Sequence, residues 1–204
     1  MSDVKIGNLD VSRETFERLE LFSALISKWN PVINLVSKST ISDLWNRHIV
    51  DSTQFYQPNL TPKVWLDIGS GGGLPGVVLA AILTEKSPET EIRFIESDMR
   101  KSTFLRTALR EMGLQGTVIT DRIEAVKPQQ ADVISARALA DLTTLFDLSS
   151  RHLVNGGLCL FAKGKTWPAE VEAAQKSWRF DCDPIKSITD PEAAILRIGG
   201  IVRV

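Results

Sequence analysis

A chain of 204 residues with 24 Lys and Arg against 25 Asp and Glu carries a formal net charge of −1, which excludes a uniformly basic nucleic-acid coat. The longest wholly apolar run, Val77 to Leu83, is far too short to cross a bilayer, and Cys159 and Cys182 lack metal-ligand spacing. The expectation is a cytoplasmic single domain over 1–204 with reduced structural thiols, no metal and no membrane contact.

In chain order, Ser12 suits an N-cap for a helix bearing Phe16, Leu19, Phe22, Leu25, Ile26 and Trp29 at helical spacing, which Pro31 should end. A second helix is predicted after Ser42, where Leu44, Trp45, His48, Ile49, Ser52 and Phe55 recur at three- and four-residue steps. These two helices make an N-terminal helical cap over 1–60, and Trp29, Trp45 and Trp65 read as core residues rather than base-stacking platforms. From Lys63 strand and helix alternate: strand 63–68, helix 75–85, strand 91–96, helix 98–112, strand 117–120, strand 132–136, helix 141–152, strand 157–163 and helix 168–176. That rhythm predicts an α/β core over 61–204, a mostly parallel sheet covered by helices on both faces. The last two segments, 178–188 and 193–204, have strand character and no helix between them, so they should pair antiparallel at one end.

The most informative stretch is Val64 to Gly76, an apolar strand that runs into glycines and then a helix. Glycine lets a ligand lie against the backbone, Pro75 suits a first helical position, and the helix directs free N–H groups at an anionic group above the loop. Asp67 ends the strand, and the next strand, Ile92 to Ile95, ends in Glu96, placed to accept both ribose hydroxyls of an adenosine cofactor. Arg137 follows the strand Asp132 to Ser135 at a carboxyl end, where open α/β sheets bind ligands. It can clamp a cofactor carboxylate or an RNA phosphate, or simply pair with Asp141.

Arg47-His48-Ile49-Val50-Asp51-Ser52, Gly73-Leu74-Pro75-Gly76, Ser135-Ala136-Arg137-Ala138 and Lys163-Gly164, with Asn30 and Asn34-Leu35, together resemble the RsmG (GidB) family over roughly residues 20–165. The resemblance implies a Rossmann-like class I methyltransferase with a seven-stranded sheet that closes in a hairpin. It also implies methylation of a guanine N7 in bacterial 16S ribosomal RNA, with S-adenosylmethionine (SAM) as cofactor. Residues implied at the cofactor are Asp67, Gly69, Gly71, Gly73, Leu74, Glu96, Ile123, Glu124 and Arg137. Two positions depart from the pattern: Leu35-Val36 stands where a Leu-Thr pair is common, and Gly72 where Ala or Pro is frequent.

Guanine N7 carries an exposed lone pair, so its methylation needs alignment and electrostatics but no general base. Accordingly Arg47, His48, Asp51, Arg137 and Lys163 are substrate-side candidates without a proton-transfer role, and Arg47 with Asp51 at i and i+4 also suits a structural ion pair. Exocyclic-amine chemistry would call for an Asn or Asp before two prolines where Ser135-Ala136-Arg137-Ala138 stands; Cys159 reads as a core thiol rather than a nucleophile. Arg47, Arg100, Lys101, Lys163 and Lys165 form a candidate patch for RNA phosphates. The expected partner is 16S rRNA or the small ribosomal subunit, bound by a monomer, with no DNA substrate. A-form duplexes bury N7 in a narrow groove, so the target should lie in a loop or junction, and an assembled particle can complete the binding surface. A small-molecule methyltransferase and a non-catalytic SAM-binding regulator are the alternatives; a nicotinamide dehydrogenase is opposed by the closing hairpin.

Overall fold

A computed structural model describes residues 3–204, so the first two positions of the expected cap lie outside the described residues. Strands β3 (Val64–Ile68), β4 (Glu91–Ile95), β5 (Thr117–Ile119), β6 (Ala131–Arg137), β7 (Leu153–Lys163), β8 (Trp178–Lys186) and β9 (Ala194–Arg203) form one seven-stranded sheet in the order β5-β4-β3-β6-β7-β9-β8. The β5-to-β7 portion is parallel, while β9 runs antiparallel to both β7 and β8. Strand order reverses between β3 and β6, which opens a crevice at their carboxyl ends, and β3, β4 and β6 all deliver residues there.

The helices show why the chain layers as it does. Helix α3 (Gly76–Lys86) is buried from Gly76 through Leu83 because it lies between the sheet and the cap, so it is apolar all round. Helix α4 (Met99–Glu111) instead buries Phe104, Leu105, Ala108 and Leu109 and turns its arginines outward; Asp98 caps it by accepting the N–H groups of Arg100 and Lys101. On the far face of the sheet, α5 (Leu142–Ser149) and α6 (Trp167–Ala174) cover a second core in which Phe146 packs on Phe161, Trp178 and Phe180. Phe22 and Phe104, both 0% exposed, join the cap to the first core, and each contributes roughly 2–3 kcal/mol by burial. Trp65 is buried, and Trp29 and Trp45 are half-buried against Phe104 and Phe16.

The cap departs from the expected helix pair. It begins with a hairpin, β1 (Val4–Ile6) and β2 (Leu9–Val11), whose strands are too short to leave a periodic signal. Helix α1 (Arg13–Ile33) is capped by Ser12 but does not end at Pro31. Pro31 sits in the last turn, and Asn34, left-handed at φ 48°, stops the helix and returns its N–H to the Asn30 carbonyl at 3.1 Å. Asn30 Oδ1 then accepts the Val36 N–H at 2.9 Å, which turns the chain toward the crevice. The second helix is composite: a 3-10 turn (Lys38–Asp43), a π-helical stretch (Trp45–Val50) and a short α2 (Asp51–Thr53). The hydrophobic spacing there is satisfied by a widened coil, in which the Asp51 N–H reaches back to the Asn46 carbonyl. Pro75 precedes α3 as its N-cap, through a cis Leu74–Pro75 bond, instead of opening the helix.

Candidate active site

Two cavities meet over the crevice. The first, of 560 Å³, is lined by the β3–α3 loop, the ends of β4 and β6, and the segment after β5. Its floor is backbone. Gly69 has φ 61°, and a side chain there would run into Leu139 at 2.6 Å. Glu96, 7% exposed, anchors the wall: one oxygen accepts the Gly71 N–H and the other the Asp98 N–H, each at 2.7 Å. Each carboxylate oxygen keeps a second acceptor site, so the pair remains able to take two hydroxyls. Leu74, Ile123 and Glu124 also line this cavity; Glu124 pairs with Arg122 at 2.7 Å, which holds its carboxyl below the usual range.

Two expected cofactor contacts lie elsewhere. Gly73 does not line the cavity; its φ of 81° and the Val77 methyl that a Cβ would meet at 2.7 Å show that it is glycine for packing against α1 and α3. Asp67 is 1% exposed and lies beneath the loop, not in it. Its Oδ1 accepts the Ser135 hydroxyl at 2.6 Å, Ser135 in turn accepts the Trp65 indole N–H at 3.0 Å, and burial pushes the Asp67 carboxyl up to about 7. Asp67 therefore ties β3 to β6 at the point where the crevice opens. Leu35, from the resembling Asn34-Leu35 pair, lines the first cavity, and so does Asp121, which the sequence reading does not single out; an acid directly after the third parallel strand is the available signal for it.

The second cavity, of 430 Å³, shares Leu35, Arg137 and Ala138 with the first and is closed by the cap and the β8–β9 connection. Arg137 stands between them in a dense network. Its Nη1 donates to Asp51 Oδ2 at 3.1 Å and to the Arg47 carbonyl at 3.3 Å, and its Nη2 donates to His48 Nδ1 at 2.7 Å. A guanidinium only donates, so His48 Nδ1 is the acceptor and carries no proton, and Nε2–H donates to Thr40 Oγ1 at 2.7 Å. Burial first and the Arg137 charge second lower the His48 imidazole to about 4. The ring is thus neutral at physiological pH and serves as an acceptor that holds Arg137.

This network corrects two ion-pair expectations. Asp51 pairs with Arg137 and leaves the Arg47 side chain exposed; Asp141 caps α5 through Thr144 and makes no pair with Arg137. The expected phosphate patch also separates. Lys163 is 8% exposed and its ammonium is held by Glu170 at 2.7 Å and by the Ala140 carbonyl, so it is a structural cation. Lys101 lines the first cavity, Arg100 pairs with Asp98 at 3.3 Å, and Lys165 pairs with Glu192 at 3.1 Å. Of these five cations, Arg47 is the one exposed at the second cavity. Cys159 is fully buried in β7, and burial pushes its thiol up to about 12. No helix of the described residues is long and apolar enough to cross a membrane.

Known proteins fit this picture. Among solved structures, M. jannaschii TYW2 in complex with AdoMet superposes with a TM-score of 0.55 at 14% identity, over 83% of this chain and 78% of that one. The Methanococcus jannaschii fibrillarin pre-rRNA processing protein does so with a TM-score of 0.53 at 13% identity, over 71% and 69%. At such identities the likeness shows the fold, that of Rossmann-like class I methyltransferases. Sequence relatives are much nearer. The chain is 54% identical to the ribosomal RNA small subunit methyltransferase G of a Ruegeria species over 100% of both chains. It is 43% identical to the protein of that name from Rhizobium meliloti, over 97% of this chain and 95% of the other. The family model described as rRNA small subunit methyltransferase G, GidB, matches residues 15–193, and the chain belongs to that family.

Proposed function

We propose that the chain methylates N7 of a guanine in 16S rRNA of the small ribosomal subunit, using SAM, and that it does so as a cytoplasmic monomer that does not act on DNA. The observation that carries this reading is the junction of the two cavities at Arg137: one side is built for a nucleoside, the other is roomy enough for a base, and no group at the neck is set up to move a proton. Family membership over residues 15–193 supports the same chemistry.

The residues present fit the cofactor. Glu96 would hold the ribose hydroxyls, Ile123 would flank the adenine, and Gly69 with Leu74 would bound the remainder of the ligand. SAM supplies a sulfonium-bound methyl group open to in-line displacement. The guanine N7 lone pair would take that methyl group as the sulfur–carbon pair returned to sulfur, so the base would become a cation and no proton would have to leave. The protein's task is alignment and charge management. Asp51 balances the Arg137 charge at 3.1 Å, and neutral His48 adds none, so the developing cation does not face an uncompensated guanidinium.

The test is tritiated methyl transfer into small subunits from a strain lacking this gene, with the modified base identified by mass spectrometry. N7-methylguanine in 16S rRNA is expected; label in a metabolite alone, or none, refutes the reading. Naked 16S rRNA should be a poorer substrate than intact subunits, because Arg47 is the one unpaired exposed cation at the second cavity among the five candidates.

A further inference from the structure

The second cavity has to choose a base, and the chemistry limits how. Arginine commonly reads guanine by donating to O6 and N7 together, but here N7 must stay free to react. Three of the five Arg137 N–H donors, both on Nη1 and one on Nη2, are also committed to Asp51, the Arg47 carbonyl and His48. Identity is therefore best read on the opposite edge of the purine, where guanine alone among the four bases presents two adjacent donors, N1–H and the 2-amino group. A carboxylate matches that pair.

One carboxylate is in place. Asp190, on the connection between β8 and β9, lines the second cavity and not the first. Its Oδ1 accepts the Glu192 N–H at 3.0 Å, while Oδ2 accepts nothing among the described residues. The connection is fastened to the cap by the same acid that holds the neck: Asp51 Oδ2 takes Arg137, and Asp51 Oδ1 takes the Thr189 hydroxyl at 2.6 Å. Gln54 Oε1 accepts the Ile188 N–H at 2.8 Å, and Ser187 Oγ accepts the N–H groups of Thr189 and Asp190 at 3.2 and 3.3 Å. From the shared rim the contacts thus run from Arg137 through Asp51 to Thr189, the residue beside Asp190, and Asp190 belongs to the part of the second cavity that the first does not share.

We infer that the second cavity is the pocket for the target guanine and that Asp190 is its specificity residue, accepting N1–H and the 2-amino group while N7 faces the first cavity. The inference rests on the functional reading above and adds how the base is selected. Asp51 is then a positioning residue, coupling the neck to the reader.

Small subunits reconstituted with 16S rRNA whose target guanosine is replaced by inosine test this, because inosine keeps N7, O6 and N1–H and lacks only the 2-amino group. The wild type should methylate inosine with kcat/KM lower by about tenfold or more. Asp190→Asn should lower kcat/KM on guanosine by about ten- to a hundredfold. It should also treat guanosine and inosine nearly alike, with SAM affinity and melting temperature unchanged, since Asn keeps the acceptor for Glu192. A merely structural role would not abolish that discrimination. Equal use of both bases by the wild type, or wild-type activity in Asp190→Asn, overturns the assignment and leaves the function standing. A wild type that leaves guanosine-bearing subunits unmethylated overturns both.

Discussion

The two cavities that meet at Arg137 are made of different materials. The first has a backbone floor and a wall anchored by one carboxylate between neighbouring strand ends, with Glu96 accepting the Gly71 and Asp98 N–H groups. The second is side chains from a π-helical stretch, the end of β6 and the β8–β9 connection, brought together only by tertiary folding. A site of the first kind is fixed by short-range geometry and tolerates change in its surroundings. A site of the second kind depends on each partner holding the next, so a single loss should spread. Removing Arg137 probes that difference most severely. Arg137→Met leaves Asp51 partly buried without its cation and His48 without its donor, and breaking such a pair costs about 3 kcal/mol. Chemical denaturation should show that loss, and methyl transfer should fall by about a hundredfold or more. SAM binding by calorimetry should change by much less; a proportionate collapse of SAM affinity would mean that the cavities are one site.

Glu96→Gln is the matching cut on the first cavity, with a smaller effect. An amide group faces one of the two N–H donors that Glu96 now satisfies and offers fewer acceptors to a ribose. SAM affinity should drop by about ten- to a hundredfold, the worth of a hydrogen bond to a charged group, while kcat at saturating SAM stays near the wild-type value. A kcat loss with intact SAM affinity would place the ribose elsewhere.

The same contrast decides what could be read in advance. Strand-glycine-helix order and an acid at the next strand end are local patterns, so the sheet, its closing hairpin and Glu96 were legible from residue order. Asp67 and Gly73 share the glycine stretch with true lining residues, and only burial separates them: a carboxyl under the floor and a glycine packed on Val77 look the same in sequence as ligand contacts. Lys163 lines the second cavity, but nothing local tells that Glu170, seven residues on, folds back over its ammonium. Asp190 carried no sequence signal, because the groups that place its loop at the neck, Arg137 and Asp51, are more than fifty residues distant in the chain. The π-helical widening at Trp45–Val50 defeats a 3.6-residue period directly, and it is this register that gives His48 to Arg137 and Asp51 to both Arg137 and Thr189.

Acid titration sets a buried group from each region against the other. His48, lowered to about 4, stays neutral in the fold while an unfolded histidine protonates below about 6.5, so its stabilising contribution is complete above 6.5 and fades as pH falls toward 4. Asp67, raised to about 7, takes up its proton in the fold first, so its contribution is complete below about 3.8 and is lost as pH rises through 7. At pH 5 the two act in opposite directions, His48 by about 2 and Asp67 by about 3 kcal/mol, relative to pH 8. His48→Asn, which keeps an acceptor for Arg137, should therefore gain stability relative to wild type on acidification from pH 7 to 5, and Asp67→Asn should lose it. Urea midpoints at those pH values measure the difference; parallel curves for the two variants would refute opposite titration.

The mildest cut asks whether the second cavity shapes a reaction or takes part in it. Cys159 lies on β7, the strand whose end supplies Ala162 and Lys163 to that cavity, and its thiol is fully buried with Ser149 Oγ at 3.8 Å. Burial pushes its titration up to about 12, so thiolate is absent at neutral pH and no covalent adduct to a base can start from it. Cys159→Ala should cost about 1 kcal/mol for the small void and leave the rate of methyl transfer unchanged. A large kcat loss without loss of fold would show that chemistry, not fit alone, resides on the base side of Arg137. The expected silence of this variant would leave alignment of the base, which we propose falls to Asp51, Arg137 and Asp190, as the work of that side.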